Sequence, residues 1–183
     1  ALALLLVGCA QPVADPALPE AATGQRRQSL VTASRQIVAT AHPQASDAAR
    51  AILRAGGSAL DAAIAAQAML TLVEPQSSGI GGGAFLLHAG DGTVQAWDGR
   101  ETAPAAATED LLLGADGKPL PFLAAAVGGR AVGVPGVLRM LEAAHRQHGR
   151  LPWAQLFEPA IQAAETGFAV SERLQRQLAS DEP

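Results

Sequence analysis

The sequence predicts an α/β fold for a single domain, since 183 residues are enough to build one core. Three observations support this prediction. An alanine-rich helical pattern runs through residues 58–73 and is stopped by Pro75. Four glycines follow within five positions, Gly79 and Gly81–Gly83. The dipeptide Asp91-Gly92 then lies between two apolar runs, which is typical of a β-hairpin.

The residues before the alanine-rich pattern predict a strand, a turn and a first helix. The apolar run Ile37–Thr40 predicts a short buried strand. His42 precedes Pro43, which favours a turn at this histidine; a catalytic base is the alternative role for its imidazole. A helix is predicted over residues 44–55, because its apolar residues share a face and Gly56-Gly57 supplies a stop.

The second helix has a clear start signal. Ser58 and Asp61 form an S-x-x-D pattern, which is typical of a capping box, so we interpret Asp61 as a helix cap rather than a catalytic acid. Leu60, Ile64 and Met69 continue the apolar pattern. Alanines occupy most of the positions between them, which predicts a helix buried tightly against a sheet or another helix.

The hairpin is predicted from residue 84 to residue 98. Its first strand covers residues 84–88, its turn residues 89–92 and its return strand residues 93–98. The return strand delivers Arg100 to its end, and Pro104 limits further strand pairing. We expect the helix, the glycine run and the hairpin together to place the cation of Arg100 in a pocket.

Arg100 and the glycine run each have two interpretations. Arg100 could bind an anion, or it could form a surface salt bridge with Asp98 or Glu101. The glycine run is neither a phosphate loop nor a dinucleotide fingerprint, because the chain has one lysine, Lys118, and the glycines precede a strand. Close backbone packing is the interpretation that the residues favour for the run.

The second half of the chain predicts an exposed turn at residues 114–119 and a short strand at residues 132–134. Pro135 is then expected at the first position of a helix that ends at Gly149. The apolar stripe of this helix is Val137, Leu138, Leu141 and Ala144. Shorter helices are expected at residues 153–157, from Pro159 to Gly167, and from a Ser171 cap to Leu178.

His145 and His148 lie near the end of the helix that precedes Gly149, where positive charge favours the helix dipole. Three residues apart, they could share a metal ion, but no further ligand accompanies them convincingly. We therefore predict no metal site.

Composition excludes several function classes. Hydrophobic residues make up 49% of the chain, which favours a folded domain over disorder. The net charge is −4 and no basic cluster exceeds Arg26-Arg27, so nucleic acid is not an expected partner. Aromatic residues are only 3%, which argues against base stacking on single strands.

The N-terminus predicts export. Residues 1–9 have the pattern of a signal-peptide remnant whose end, Leu6-Val7-Gly8-Cys9, resembles a bacterial lipobox. Cys9 is the expected lipidation site; the alternative is an ordinary signal peptide with an incidental cysteine. Residues 10–29 contain three prolines and few large apolar residues, so we expect a flexible tether. The expected location is therefore the periplasm or the outer face of a bacterial membrane, with a possible lipid anchor.

Several segments, taken in order, resemble one family. The matching segments are His42-Pro43, Ala55–Ala59, Asp61–Ala63, Glu74-Pro75, Ser77–Gly83, Arg100–Pro104, Val134–Gly136, Gly149–Trp153 and Glu158–Ile161. Together they resemble the N-terminal part of a γ-glutamyltranspeptidase, also called glutathione hydrolase, over residues 30–179. Residues 30–183 are accordingly expected to form an incomplete domain, the N-terminal part of the large subunit.

The resemblance implies an N-terminal nucleophile hydrolase with an α/β/β/α sandwich, of which only the N-terminal portion is present. Such a precursor cuts itself into two subunits, and the exposed threonine takes the glutamyl group from glutathione or another γ-glutamyl compound. Water, an amino acid or a peptide then accepts it. No cofactor is implied. The catalytic threonine is expected outside this chain, so no catalytic residue is nominated within it.

The resemblance also assigns a role to Arg100, which by similarity binds the α-carboxylate of the γ-glutamyl group. A planar guanidinium suits this role because it can hold a carboxylate with two parallel hydrogen bonds. Glu101 is expected to support Arg100 or the fold.

Two alternatives remain open. One is a related acylase of the same fold that cleaves another amide, such as a β-lactam precursor or poly-γ-glutamate. The other is a non-catalytic lipoprotein that uses the scaffold as a binding module.

Overall fold

A computed structural model describes residues 30–180. The predictions of a lipidated Cys9 and of a tether at residues 10–29 therefore lie outside the described residues. Within residues 30–180, no helix combines the length and the apolar character needed to cross a bilayer.

The first two helices pack against each other and begin as their sequences predict. Helix α1, Pro43–Arg54, has His42 as its N-cap, and the ring Nδ1 accepts a hydrogen bond from the Gln44 amide at 3.2 Å. Helix α2, Ala59–Val73, starts with a complete capping box formed by Ser58 and Asp61. The predicted cap at Asp61 is confirmed, whereas His42, predicted as a turn residue, has extended backbone and caps α1 instead.

The predicted hairpin forms a two-stranded antiparallel sheet. Strand β1, Ala84–Gly90, pairs with strand β2, Thr93–Gly99, and Leu86 lies opposite Trp97. Asp91 and Gly92 both have positive φ, 50° and 73°, as a two-residue turn with the twist of a hairpin requires. Each strand is longer than the sequence predicted, because pairing continues to the turn and to Gly99.

The rest of the described chain is helical and irregular. Three further helices come after the sheet in the chain: α3, Phe122–Ala126; α4, Val137–His148; and α5, Glu158–Thr166. Helix α6, Glu172–Ser180, comes last, and the Ser171 hydroxyl accepts a hydrogen bond from the Leu174 amide, which confirms the predicted cap. Residues Gly129–Ala131 and Trp153–Leu156 form 3₁₀ turns.

The core lies around α2, which is buried on several faces, as its alanine content predicted. Side chains from α1, α2, α4 and the Trp153–Leu156 turn form the main cluster, and the inner face of the hairpin packs onto it through Leu86 and Trp97. The fully or nearly fully buried members are Ala49, Ile52, Leu60, Ala62, Ile64, Ala65, Ala66, Val137, Met140, Leu141, Ala144 and Leu156. The opposite face of the hairpin leaves Phe85, Leu87 and Val94 exposed.

Two predicted strands are wrong. Residues 37–40 are not a strand, and Ile37 is exposed, because no strand among the described residues pairs with this segment. The Thr40 hydroxyl instead contacts the Ser46 hydroxyl at 2.7 Å, next to the start of α1. Residues 132–134 contribute only an isolated bridge, in which Val134 pairs with Thr102.

The start and the apolar stripe of α4 also differ from the prediction. Pro135 precedes the N-cap, Gly136, and the helix begins at Val137. Met140 is buried in place of Leu138, because the helix presents the face of Val137, Met140, Leu141 and Ala144 to the core. The helix predicted at residues 153–157 is a 3₁₀ turn.

Candidate functional site

Arg100 immediately follows β2, where the ladder with β1 ends. Its amide donates a hydrogen bond to Asp98 Oδ1 at 2.9 Å, which fixes the backbone as it leaves the sheet. The side chain is 70% exposed, and its Nε lies 3.3 Å from Glu101 Oε2. The two terminal nitrogens have no hydrogen-bond partner among residues 30–180. They are free to bind a carboxylate.

Glu101 lies against the glycine run. A Cβ placed on Gly82 would lie 3.3 Å from Glu101 Oε1, and one placed on Gly83 would overlap Oε2. Gly133 approaches the same residue from the other side, since its Cβ would lie 2.8 Å from Glu101 Cβ. The close-packing interpretation of the run is therefore confirmed at this point. Glu101 pairs with Nε of Arg100 and so leaves the guanidinium fork open.

A shallow cavity of about 310 Å³ opens beside Arg100. It lies between the end of β2, the Thr102–Val134 bridge and the first turns of α4. Its wall includes Trp97, Arg100, Thr102, Pro135, Arg139 and Met140. Arg139 also lines the cavity but pairs with Glu142 at 2.8 Å, and the lining includes the carboxylate of Asp98. Arg100 is therefore the cation that favours an anionic ligand here, and the apolar side chains beside it suit the methylene groups of such a ligand.

Asp61 forms a second polar centre, which is buried and distinct from the cavity wall at Arg100. Its side chain is 0% exposed, and Oδ2 accepts hydrogen bonds from the amides of Ser58, Arg150 and Leu151 at 2.8, 2.9 and 3.2 Å. His145 Nε2 lies 3.5 Å from Oδ1 and 2.9 Å from the Leu151 carbonyl. A carboxylate engaged this way joins α2 to the chain after α4 and holds the fold.

Sequence reasoning found the cap but missed this long-range contact. Arg150 lies 89 residues from Asp61 in the chain. Sequence patterns such as capping boxes connect residues only a few positions apart, so none of them predicts a contact between Asp61 and Arg150.

The two histidines of α4 have different partners. His145 turns toward Asp61 and packs edge to face on Trp153, whereas His148 stacks on His88 with ring centres 3.9 Å apart. His148 also contacts the Gln95 side chain, which ties the hairpin to the end of α4. The structure therefore does not bring His145 and His148 together. Among the described residues, no three histidine, cysteine or acidic side chains converge in the manner of a metal site.

A further ion pair connects α6 to the loop before the glycine run. Glu74 is 3% exposed, and its Oε2 accepts from Arg173 Nη1 at 2.7 Å. The same Arg173 donates through Nη2 to the Ser77 hydroxyl at 2.9 Å. Because Ser77 directly precedes the Ser78-Gly79 start of the run, α6 helps to fix where the run begins.

Comparison with known proteins gives a family. The sequence profile described as gamma-glutamyltranspeptidase matches residues 45–183. The glutathione hydrolase proenzyme of Bacillus subtilis is 46% identical over 138 residues, which is 73% of this chain and 23% of that protein. The chain thus spans about a quarter of the length of this curated relative.

Solved structures agree with the fold. The γ-glutamyltranspeptidase of Helicobacter pylori is 36% identical with a TM-score of 0.78, over 82% of this chain and 43% of that chain. A cephalosporin acylase from Bacillus halodurans is 35% identical with a TM-score of 0.68, over 83% of this chain and 29% of that chain. The expected fold class is thereby confirmed.

Proposed function

Because the chain belongs to the γ-glutamyltranspeptidase family, we propose that it is part of an enzyme that transfers and hydrolyses γ-glutamyl groups. Its donors would be glutathione and other γ-glutamyl compounds. Water, amino acids or peptides would accept the group. Several related proteins are called glutathione hydrolases, which supports this choice of donor.

The observation that carries the proposal is the open guanidinium of Arg100. The side chain stands at the wall of a cavity, its Nε is engaged by Glu101, and neither terminal nitrogen has a hydrogen-bond partner within residues 30–180. Every γ-glutamyl compound carries an α-carboxylate three carbons from the scissile amide. The parallel N–H bonds of an arginine match the two carboxylate oxygens, and an exposed charge at a cavity wall is accessible to such a ligand.

The reaction itself would depend on a threonine outside this chain. After self-cleavage, the threonine hydroxyl at the new N-terminus would attack the γ-amide, with its own amino group as base. The amide C–N bond would break, the amine of the donor would leave with the proton, and a glutamyl-enzyme ester would remain. The cut-off subunit would be the essential partner of the present chain. Arg100 would hold the substrate in place during both half-reactions, since its contact is to a group that does not react.

A related acylase activity is the second candidate. The similarity to the Bacillus halodurans cephalosporin acylase favours it, because that protein matches a similar share of this chain, 83%, at nearly the same identity as the γ-glutamyltranspeptidase of Helicobacter pylori. The two candidates differ in what Arg100 would bind: an α-carboxylate that is always present, or the carboxylate of some other acyl side chain.

We also propose export of the protein and lipidation at Cys9, on the strength of the apolar N-terminal run and its lipobox-like end. Replacement Cys9→Ser tests this. We expect the wild type to incorporate labelled palmitate and to sediment with membranes, and the variant to do neither. Equal labelling of both proteins would contradict the proposal.

The activity is tested on the product of the complete reading frame. We expect mass spectrometry of the purified protein to find two fragments, the smaller one beginning with threonine, and we expect release of a chromophore from a γ-glutamyl anilide. Cleavage without release would favour the acylase. An uncut, folded and inactive protein would contradict the proposal and favour a binding module.

A further inference from the structure

The backbone of Arg100 is flanked by two glycines from different elements. The first is Gly136, the N-cap of α4. A Cβ built on Gly136 would overlap the Gly99 carbonyl oxygen and would lie 2.8 Å from Gly99 C and 3.0 Å from the Arg100 carbonyl oxygen. Those neighbours are backbone atoms, so they cannot rotate away as a side chain can.

Gly136 is not required by its own backbone conformation. Its φ of −117° and ψ of −18° are available to any residue. The glycine is therefore explained by space: α4 can start this close to the end of β2 only because position 136 has no side chain.

The second glycine is Gly83, which directly precedes β1. Its Cβ would stand 2.8 Å from Arg100 Cα and 2.8 Å from the Glu101 amide nitrogen, and it would overlap Glu101 Oε2. Its φ is not positive either. Here too the absence of a side chain allows one backbone to approach another.

Hydrogen bonds hold these segments in register. The amides of Gly136 and Val137 both donate to the Gly82 carbonyl, at 3.1 and 3.2 Å. Thr102 and Val134 exchange two backbone hydrogen bonds, at 3.3 and 2.8 Å. The glycine run, the end of β2 and the start of α4 thus enclose the Arg100 backbone with little room to shift.

We propose that Gly83 and Gly136 are positioning residues that set the location of Arg100 and thereby the affinity for γ-glutamyl substrates. The inference rests on the proposed function of Arg100. A methyl group at either position displaces the Arg100 backbone, because overlaps below 3 Å with main-chain atoms are relieved only by moving the chain. Bidentate pairing tolerates little displacement, since its N–H···O bonds are short and directional.

The test compares three alanine variants of the complete, self-processed enzyme. Gly136→Ala and Gly83→Ala introduce the overlaps. Gly81→Ala is the matched control: it lies in the same glycine run, its φ is not positive, and a Cβ there would meet nothing within 4 Å. The assay measures kcat and KM for a γ-glutamyl anilide, together with self-cleavage and the melting temperature.

We expect Gly136→Ala and Gly83→Ala to raise KM about tenfold, the loss of one charge-assisted hydrogen bond. We expect kcat within about twofold, since the α-carboxylate contact is the same in the ground and transition states. Self-cleavage should proceed in both variants, and Gly81→Ala should match the wild type.

The outcomes distinguish failure of the proposed function from failure of the positioning role of Gly83 and Gly136. A wild type that releases no chromophore would overturn the proposed function and this inference with it. An active wild type with unchanged KM in both overlap variants would overturn this inference alone. If one of the two overlap variants is not processed, the KM of the other variant tests the positioning role. If neither variant is processed, the two glycines are required for folding in general, and the positioning role is overturned.

Discussion

Asp61 and Arg100 are both charged residues at the edge of a secondary-structure element, yet their surroundings are opposite. The Asp61 carboxylate has no exposed surface and accepts three backbone hydrogen bonds through one oxygen. The Arg100 side chain is 70% exposed and keeps both terminal nitrogens unpaired within the described chain. Gly83 and Gly136 approach the Arg100 backbone closely, whereas the Arg100 guanidinium is exposed to solvent.

Under the proposed function, this contrast separates a charge that stabilises the fold from a charge that binds substrate. A buried group with internal partners stabilises the fold, because removing it leaves those partners unsatisfied. An exposed group with few internal partners contributes little to stability. Its charge then remains available for a ligand. The predictions that follow test whether stability and substrate affinity divide between the two residues in this way.

The largest effect is expected for Asp61→Ala. It removes the acceptor of the Ser58, Arg150 and Leu151 amides and should lower the free energy of unfolding by about 2–4 kcal/mol. The urea midpoint of the complete enzyme measures this. Asp47→Ala is the control, because Asp47 is exposed and its ion pair among the described residues is with exposed Arg50, so the change should stay within about 0.5 kcal/mol. Equal urea midpoints for the two variants would contradict the stabilising role of the buried Asp61 carboxylate.

Arg100→Ala should act on binding instead. We expect KM for γ-glutamyl substrates to rise about 10- to 150-fold, the equivalent of one charged hydrogen-bonded contact, with self-cleavage and melting temperature unchanged. Arg146→Ala is the control, since Arg146 is similarly exposed and pairs with Glu142 on α4. A drop in melting temperature without a change in KM would make Arg100 a structural residue.

Arg173 is an intermediate case, because its side chain is 27% exposed and its partner Glu74 is buried. Arg173→Ala leaves the Glu74 carboxylate without its cation and should cost about 1–3 kcal/mol of stability. Limited proteolysis would also find α6 cut sooner than in the wild type. Arg176→Ala should resemble the wild type, because Arg176 lies on the same helix and, within residues 30–180, its Nε donates to the Glu172 carbonyl rather than to a buried carboxylate.

The smallest effect is expected for His42→Ala. Loss of the side-chain cap on α1 should cost about 0.5–1 kcal/mol, and kcat should not change. A large fall in kcat at an unchanged melting temperature would make His42 a catalytic base and would add it to the site.

The sequence predicted those parts of the fold that depend on neighbours along the chain. The capping box at Ser58, the Asp91-Gly92 turn and the cap at Ser171 each involve residues within four positions, so their types suffice to predict them. The prediction of a strand at residues 37–40 was wrong because a strand needs a neighbouring strand to pair with, and the local sequence does not show whether one is present. The predicted start of α4 at Pro135 was wrong for a similar reason. The helix starts at Val137, where the amides of Gly136 and Val137 donate hydrogen bonds to the carbonyl of Gly82, in a distant segment.

The candidate site divides in the same way. Arg100 could be nominated only through the family resemblance, because the residues around it favour a surface salt bridge to Asp98 or Glu101. Its enclosure by Gly83 and Gly136 could not, because those glycines lie 17 and 36 positions away and meet it only after folding. The link from Asp61 to Arg150 and Leu151 was hidden for the same reason.

The central claim is that Arg100 binds the α-carboxylate of the substrate, and a two-by-two comparison tests it most directly. Wild type and Arg100→Ala are each assayed with a γ-glutamyl anilide and with the 4-aminobutyryl anilide, which lacks only that carboxylate. We expect removal of the carboxylate to lower kcat/KM of the wild type about 10- to 150-fold and to change that of Arg100→Ala little further. The same fold-loss in both proteins would show that the carboxylate is bound elsewhere and would contradict the claim.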